Sequence, residues 1–118
     1  MEGKRSTRVA ELLKQILGET ISTEMRDPAV QLVTITKVKI SDDLKDAKVY
    51  FSKMGTPQER EAALAGLKRA QSFLRTTIAR TAGLRVVPTL HFFYDDTLDY
   101  VATIEQLLSQ AHRNEPKS

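Results

Sequence analysis

Near the start of the chain, apolar residues recur at three- and four-residue intervals: Val9, Leu12, Leu13, Ile16, Leu17 and Ile21. This spacing gathers an apolar stripe on one face of a helix. It predicts a long amphipathic helix from roughly Ser6 to Met25, capped by Ser6 or Thr7. Asp27-Pro28 ends it, because the residue before a proline is pushed out of the helical region. From Val30 to Ile40 the pattern turns β-branched and alternating, but Val33 and Ile35 share one parity while Val38 and Ile40 share the other. A bulge near Thr36-Lys37 accounts for the switch, since one extra residue flips all later side chains. After the turn-rich "SDDLKD", Ala47, Val49 and Phe51 alternate with Lys48, Tyr50 and Ser52. That is the return strand of an antiparallel hairpin with one buried and one wet face.

"TPQE" then opens a helix, with Thr56 as N-cap, Pro57 at its first position and Glu59 closing a capping box. Ala63, Leu64, Leu67, Leu74 and Ile78 keep helical spacing up to Gly83, the expected C-terminal glycine. In the middle, the small or polar Ala70, Gln71 and Ser72 interrupt the apolar pattern and predict a break. Leu90, Phe92 and Tyr94 form a third strand, and the bulk of His91 and Phe93 suggests burial on both of its sides. Asp96 is placed to cap a last helix with Leu98, Val101, Ile104, Leu108 and Ala111 inward, followed by a polar tail, "NEPKS". Alternation of helices with a hairpin and a further strand gives an α+β fold of one domain, with a three-stranded sheet covered by helices on one face. At 118 residues the chain has enough material for one core.

Charge changes this picture in one region. Between residues 57 and 88 there are six Lys/Arg against two acids, and Glu61 is the last acid before Asp95. Lys68, Arg69, Arg75, Arg80 and Arg85 all fall in that acid-free interval, a candidate footprint for a polyanion. For any one arginine a solvated helix face is the commoner explanation; as a group they favour phosphate binding. A helix broken by small residues lets backbone and arginines approach phosphates. Lys4, Arg5 and Arg8 crowd the start of the first helix, where the helix dipole already places positive charge.

Other chemistry finds little support. There is no cysteine, and His91 and His112 lie far apart in sequence. Asp95 and Asp96 are adjacent and point to opposite faces of a strand, so turn and cap roles suit them better than convergence on a metal or substrate. No glycine-rich phosphate loop, HExxH or GxSxG motif occurs. A groove-reading DNA regulator and a metal-dependent nuclease using Asp95 and His91 are the competing readings. No apolar run reaches membrane-helix length and no signal core follows the basic N-terminus, so a soluble, cytoplasmic protein is expected. Tyr50 shares a face with Lys48 and Ser52 and is the aromatic expected to be exposed; the phenylalanines are assigned to the core.

Three blocks, "STRVAELLKQIL", "MRDPAVQLVTITKVKISDDLKDAKVYFS" and "LRVVPTLHFFYDDTLD", resemble the bacterial ribosome-binding factor A proteins across nearly the whole chain. The resemblance implies a type II KH-like fold, order α-β-β-α(kink)α-β-α, with residues 1–118 as one RNA-binding domain and a flexible tail from about residue 113. In such a fold the usual phosphate loop is replaced by a helix kinked at an Ala-x-Gly signature. Ala70, Gln71 and Ser72 stand at the matching positions, with serine in place of the glycine. It further implies a non-catalytic assembly factor, without cofactor or metal, that acts as a monomer. Its partner would be small-subunit rRNA in the free small ribosomal subunit, near the neck and decoding region. There it would assist late maturation and 5′-end processing, notably in the cold, and leave with help from assembly GTPases. The contacts implied are Lys4, Arg5 and Arg8, Lys45 and Lys48 in the hairpin, and Arg69, Ala70, Gln71, Ser72, Arg75, Arg80 and Arg85 around the kink.

Overall fold

The computed structural model describes residues 2–114, with the side chains of residues 5–97 and 99–111. The elements follow the expected order: α1 (Glu2–Thr23), β1 (Thr34–Ile40), β2 (Asp46–Ser52), α2 (Pro57–Arg69), α3 (Gln71–Ala82), β3 (Thr89–Tyr94) and α4 (Thr97–Asn114), with a 3-10 turn at Pro28–Val30. The sheet runs β1-β2-β3, antiparallel between β1 and β2 and parallel between β2 and β3. A parallel pair needs a crossover, and α2 with α3 supplies it.

The register of β1 on β2 skips between Ile35 and Lys37. Thr36 is the extra residue, and the parity change turns both Ile35 and Val38 into the core. Ala47, Val49 and Phe51 of β2 are fully buried beside them, and Leu90 and Phe92 of β3 complete the inner face. Leu13, Leu17 and Ile21 of α1, Leu67 of α2 and Leu74 and Ile78 of α3 close over it. Thr56 accepts the Glu59 N–H at 3.2 Å while the Glu59 carboxylate takes the Thr56 N–H, so the capping box is complete. Gly83 ends α3 at φ 64°, a left-handed conformation in which a Cβ would be strained.

Several expectations are corrected. α1 starts at Glu2, so Ser6 and Thr7 lie inside the helix and do not cap it. The polar residues ahead of Val9 are helical without an apolar stripe, which hydrophobic spacing cannot register. At the other end, Ser22 and Thr23 turn their hydroxyls back onto the Glu19 carbonyl and the helix stops before Met25. Strand pairing begins at Thr34 instead of Val30, because Pro28 starts a 3-10 turn and Leu32 adopts φ 62°. His91 and Phe93 are exposed, so β3 is covered on the helix side alone.

The last helix differs most. Asp96 stands at the cap position, its carbonyl accepting the Tyr100 N–H at 2.9 Å, and Asp95 also turns its carboxylate to the start of α4, accepting the Thr97 N–H at 3.0 Å. In the first turn of α4, Asp99 receives Arg60 at 3.0 Å and the Tyr94 hydroxyl at 3.2 Å, with the Arg60 guanidinium 4.7 Å from the Tyr94 ring centre. Burial first, and the Asp99 bond second, push the Tyr94 phenol above its ordinary range. Beyond that anchor, Val101, Ile104, Leu108 and Ala111 are exposed and cover no core. Apolar periodicity shows that a helix is amphipathic; which surface it meets depends on the direction in which its first turn points it. Leu98, also expected inward, has its side chain outside the described residues, as does the tail beyond residue 114. Among the described residues no helix is long and apolar enough to cross a membrane.

Candidate nucleic-acid interface

The break between α2 and α3 sits at Ala70, whose backbone leaves helical values at φ −86°, ψ 4°. The Ala70 N–H still reaches the carbonyls of Gly66 and Leu67, and α3 resumes when Leu74 N–H bonds to the Ala70 carbonyl. No side chain caps the start of α3. Ser72 is exposed beside the break.

Gln71 serves the sheet. Its amide nitrogen donates to the Leu90 carbonyl and its amide oxygen accepts the Leu90 N–H, both at 2.8 Å. Through these two bonds the side chain completes the free edge of β3 in place of a fourth strand. Arg75, one turn on, donates to the Val87 carbonyl at 2.9 Å and to the Pro88 carbonyl at 3.2 Å, fastening the loop before β3. Arg69 is exposed but paired with Asp27 at 2.9 Å. Asp27 also caps the 3-10 turn through the Ala29 N–H, and that bond first, with Arg69 second, holds its carboxyl below the usual carboxylate range. Thus the acid-free interval of the sequence acquires an acid from 42 positions away. Arg80 is exposed, and shares a cleft with Glu19 of α1 and Glu24 just after it.

An open cleft of about 430 Å³ lies at the break, lined by Met25, Arg26, Asp27, Arg69, Ala70 and Phe73 among others. Arg26 and Phe73 were not among the expected contacts. Phe73 is 44% exposed, bulky and apolar at the cleft wall. Arg26 had a readable signal, as a cation adjoining the motif that ends α1; Phe73 had none apart from its place next to the break.

Among the described residues, the expected contacts do not form one surface. Arg69, Ala70, Gln71, Ser72 and Arg75 surround the break, with Arg80 further along α3 and Arg85 exposed in the loop after it. Arg5 and Arg8 are exposed near the start of α1, and the Lys4 side chain lies outside the described residues. Lys45 is exposed in the hairpin turn, and Lys48 belongs to the face of the sheet opposite the helices. His91 and Asp95 do not converge: His91 bonds to Asp46 at 2.9 Å, and Asp95 to Thr36 at 2.6 Å. Among the described residues no cluster of three His, Asp or Glu side chains suits a metal.

A family model described as ribosome-binding factor A matches residues 5–108. The chain belongs to the ribosome-binding factor A family. The factor of that name from Syntrophobacter fumaroxidans is 41% identical over 117 residues, covering 98% of this chain and 100% of the relative. That of Chloroflexus aggregans is 43% identical over 93% of this chain and 87% of its own. The crystal structure of ribosome-binding factor A from Thermus thermophilus is similar with a TM-score of 0.68 at 30% identity, over 75% of this chain and 94% of that one. A homology model of the Thermus factor, as fitted into a cryo-EM map of its complex with the 30S subunit, gives 0.63 at 31% identity over 73% and 90%. The family's α+β, KH-like fold is therefore the fold of this chain.

Proposed function

We propose that this protein binds the free small ribosomal subunit through its rRNA and assists the late maturation and 5′-end processing of that rRNA, notably in the cold. The observation that carries the reading is family membership joined to the fitted complex of the Thermus relative with its small subunit. The protein acts in the cytoplasm as a monomeric, non-catalytic assembly factor, stabilises an immature rRNA conformation and is released with help from assembly GTPases. The chemistry at the break supports the reading: an interrupted helix, an open cleft and cations on its rim. Lys4, Arg5, Arg8, Lys45, Lys48, Arg69, Arg80 and Arg85 supply phosphate contacts, with Ala70 and Ser72 permitting close approach. Gln71 and Arg75 hold the region of the break in shape through their bonds to residues 87, 88 and 90.

Co-sedimentation with purified free small subunits, large subunits and mature ribosomes across a salt series tests this. Selective binding to free small subunits is expected, weakening by roughly 0.7–0.9 log units per log unit of salt for each phosphate neutralised. An Arg80→Gln, Arg85→Gln protein should remain folded and lose about 1.5 from that slope. Equal binding to all three particles would overturn the assignment.

A further inference from the structure

The face of the sheet turned away from the helices carries its own constellation. Register places Lys37 of β1, Tyr50 of β2 and Phe93 of β3 in one row across the three strands. The next outward row is Lys39, Lys48 and His91. Strand neighbours in register project to the same side, so these six side chains share one surface. The Thr36 bulge sets this arrangement: by shifting the parity of β1 it buries Val38 and turns Lys37 and Lys39 outward.

Nothing in the fold requires aromatics on that surface. Phe51, Phe92 and Tyr94 already serve the inner side, whereas Phe93 is 43% exposed and Tyr50 only partly covered. The Tyr50 and Phe93 rings lie 5.6 Å apart and are tilted by 31°, so two aromatic rings adjoin on the outer face. The inner pair, Phe51 and Tyr94, meets edge-on at 79°. Lys37, Lys39 and Lys48 are exposed, and none of the three is in an ion pair among the described residues. The acids bordering the face are already engaged, Asp46 with His91 and Asp95 with Thr36 and the Thr97 N–H. Aromatic faces flanked by unpaired cations fit a single-stranded nucleic acid, whose bases stack while its phosphates track the positive charge.

We propose that this open sheet face is a second RNA-binding surface, separate from the helix break, that takes a single-stranded segment by stacking bases on Phe93 and Tyr50 with Lys37, Lys39 and Lys48 on its phosphates. It rests on the ribosomal reading above for the choice of RNA; the surface itself is argued from the sheet.

The test is an NMR titration of the full chain with a single-stranded uridine decamer, with affinities measured by anisotropy. Amide shifts are expected in β1, β2 and β3 around residues 37, 39, 48, 50, 91 and 93. Tyr50→Leu with Phe93→Leu keeps apolar bulk on the strands but removes the rings, and should weaken decamer binding about tenfold. Lys37→Gln, Lys39→Gln and Lys48→Gln together should flatten the salt slope by about 2. No binding, shifts confined to residues 69–86, wild-type affinity in the leucine variant, or equal sheet shifts from a polyglutamate of matched charge would each overturn the proposal. Co-sedimentation of the same variants with free small subunits is read separately. Wild-type protein that fails to bind subunits refutes the ribosomal reading, whereas absent sheet shifts with intact subunit binding refute this surface alone.

Discussion

The Thr36 hydroxyl donates a 2.6 Å hydrogen bond to the Asp95 carboxylate, tying the bulge of one edge strand to the end of the other. Asp95 lies just past β3, where its own N–H bonds to the Phe51 carbonyl and its second oxygen takes the Thr97 N–H. The contact therefore joins β1, β3 and the start of α4 in one place. The Thr36 bond first, and the Thr97 bonds after it, hold the Asp95 carboxyl below the usual carboxylate range. A depressed carboxyl contributes stability above its ordinary pKa and loses it as the pH falls through the folded value. Thr36→Val should thus lower stability by on the order of 1 kcal/mol at neutral pH. The gap to wild type should close as the pH drops below about 4. Urea melts at neutral and acid pH check both; a gap that persists in acid would contradict the assignment.

The arginines of α3 and of the loop after it divide into structural cations and cations with no ion pair among the described residues. Arg75→Gln removes charged donors from the Val87 and Pro88 carbonyls and should cost about 2 kcal/mol. Arg80→Gln or Arg85→Gln should stay within about 0.5 kcal/mol of wild type, as surface substitutions do. Thermal denaturation of the three single variants separates the classes, so loss of RNA binding in an Arg75 variant should be read only beside its stability.

Gln71 offers a sharper case, because one side chain satisfies both polar groups of Leu90. Gln71→Ala should lose about 2 kcal/mol by leaving them unmet at a strand edge. Gln71→Glu keeps an acceptor but sets a carboxylate against the Leu90 carbonyl. It should be at least as damaging at neutral pH and recover as the acid protonates, below about pH 4.5. Denaturant midpoints of the two variants across that range are the measurement; parallel curves would mean that the side-chain donor is unimportant.

Gly66 lets α2 approach the 3-10 turn. A Cβ there would stand 2.9 Å from a Val30 methyl and 3.2 Å from Asp27 Oδ2, and Val30 is fully buried. Gly66→Ala gains about 1 kcal/mol of helix propensity and loses roughly 2 to overpacking. A net loss of about 1 kcal/mol is expected, readable as a lower melting temperature. A stabilised variant would show that the turn yields easily.

Local chemistry made much of this architecture legible. The parity switch between Ile35 and Val38 located the bulge, Thr56, Pro57 and Glu59 marked the start of α2, and Ala70, Gln71 and Ser72 marked its break. Each signal lies within a few residues of its effect. The site was less legible for the opposite reason. Asp27 and Arg69 are far apart in sequence, as are Gln71 and Leu90, and their pairing depends on how the crossover packs. An arginine run looks uniform along the chain; only the fold separates Arg75, spent on carbonyls, from Arg80 and Arg85. Residue type alone assigns Phe93, a phenylalanine in a strand, to the core, whereas its parity with His91 puts it on the outer face. The last helix shows the limit from another side, since periodicity predicted its amphipathic face and said nothing about what that face would meet.

The central place of β2 also orders events in time. Its pairing with β1 draws on adjacent sequence, and α1 is made before either strand, so half the fold can assemble as soon as that part of the chain leaves the ribosome. Its pairing with β3 must wait for the whole of α2 and α3. Until then one edge of β2 stays open and Phe51 lacks Tyr94 as a neighbour. Closure of that non-local pair is the slow step that the topology imposes, and the bonds of Gln71 and Arg75 to the β3 segment can form only when it is complete.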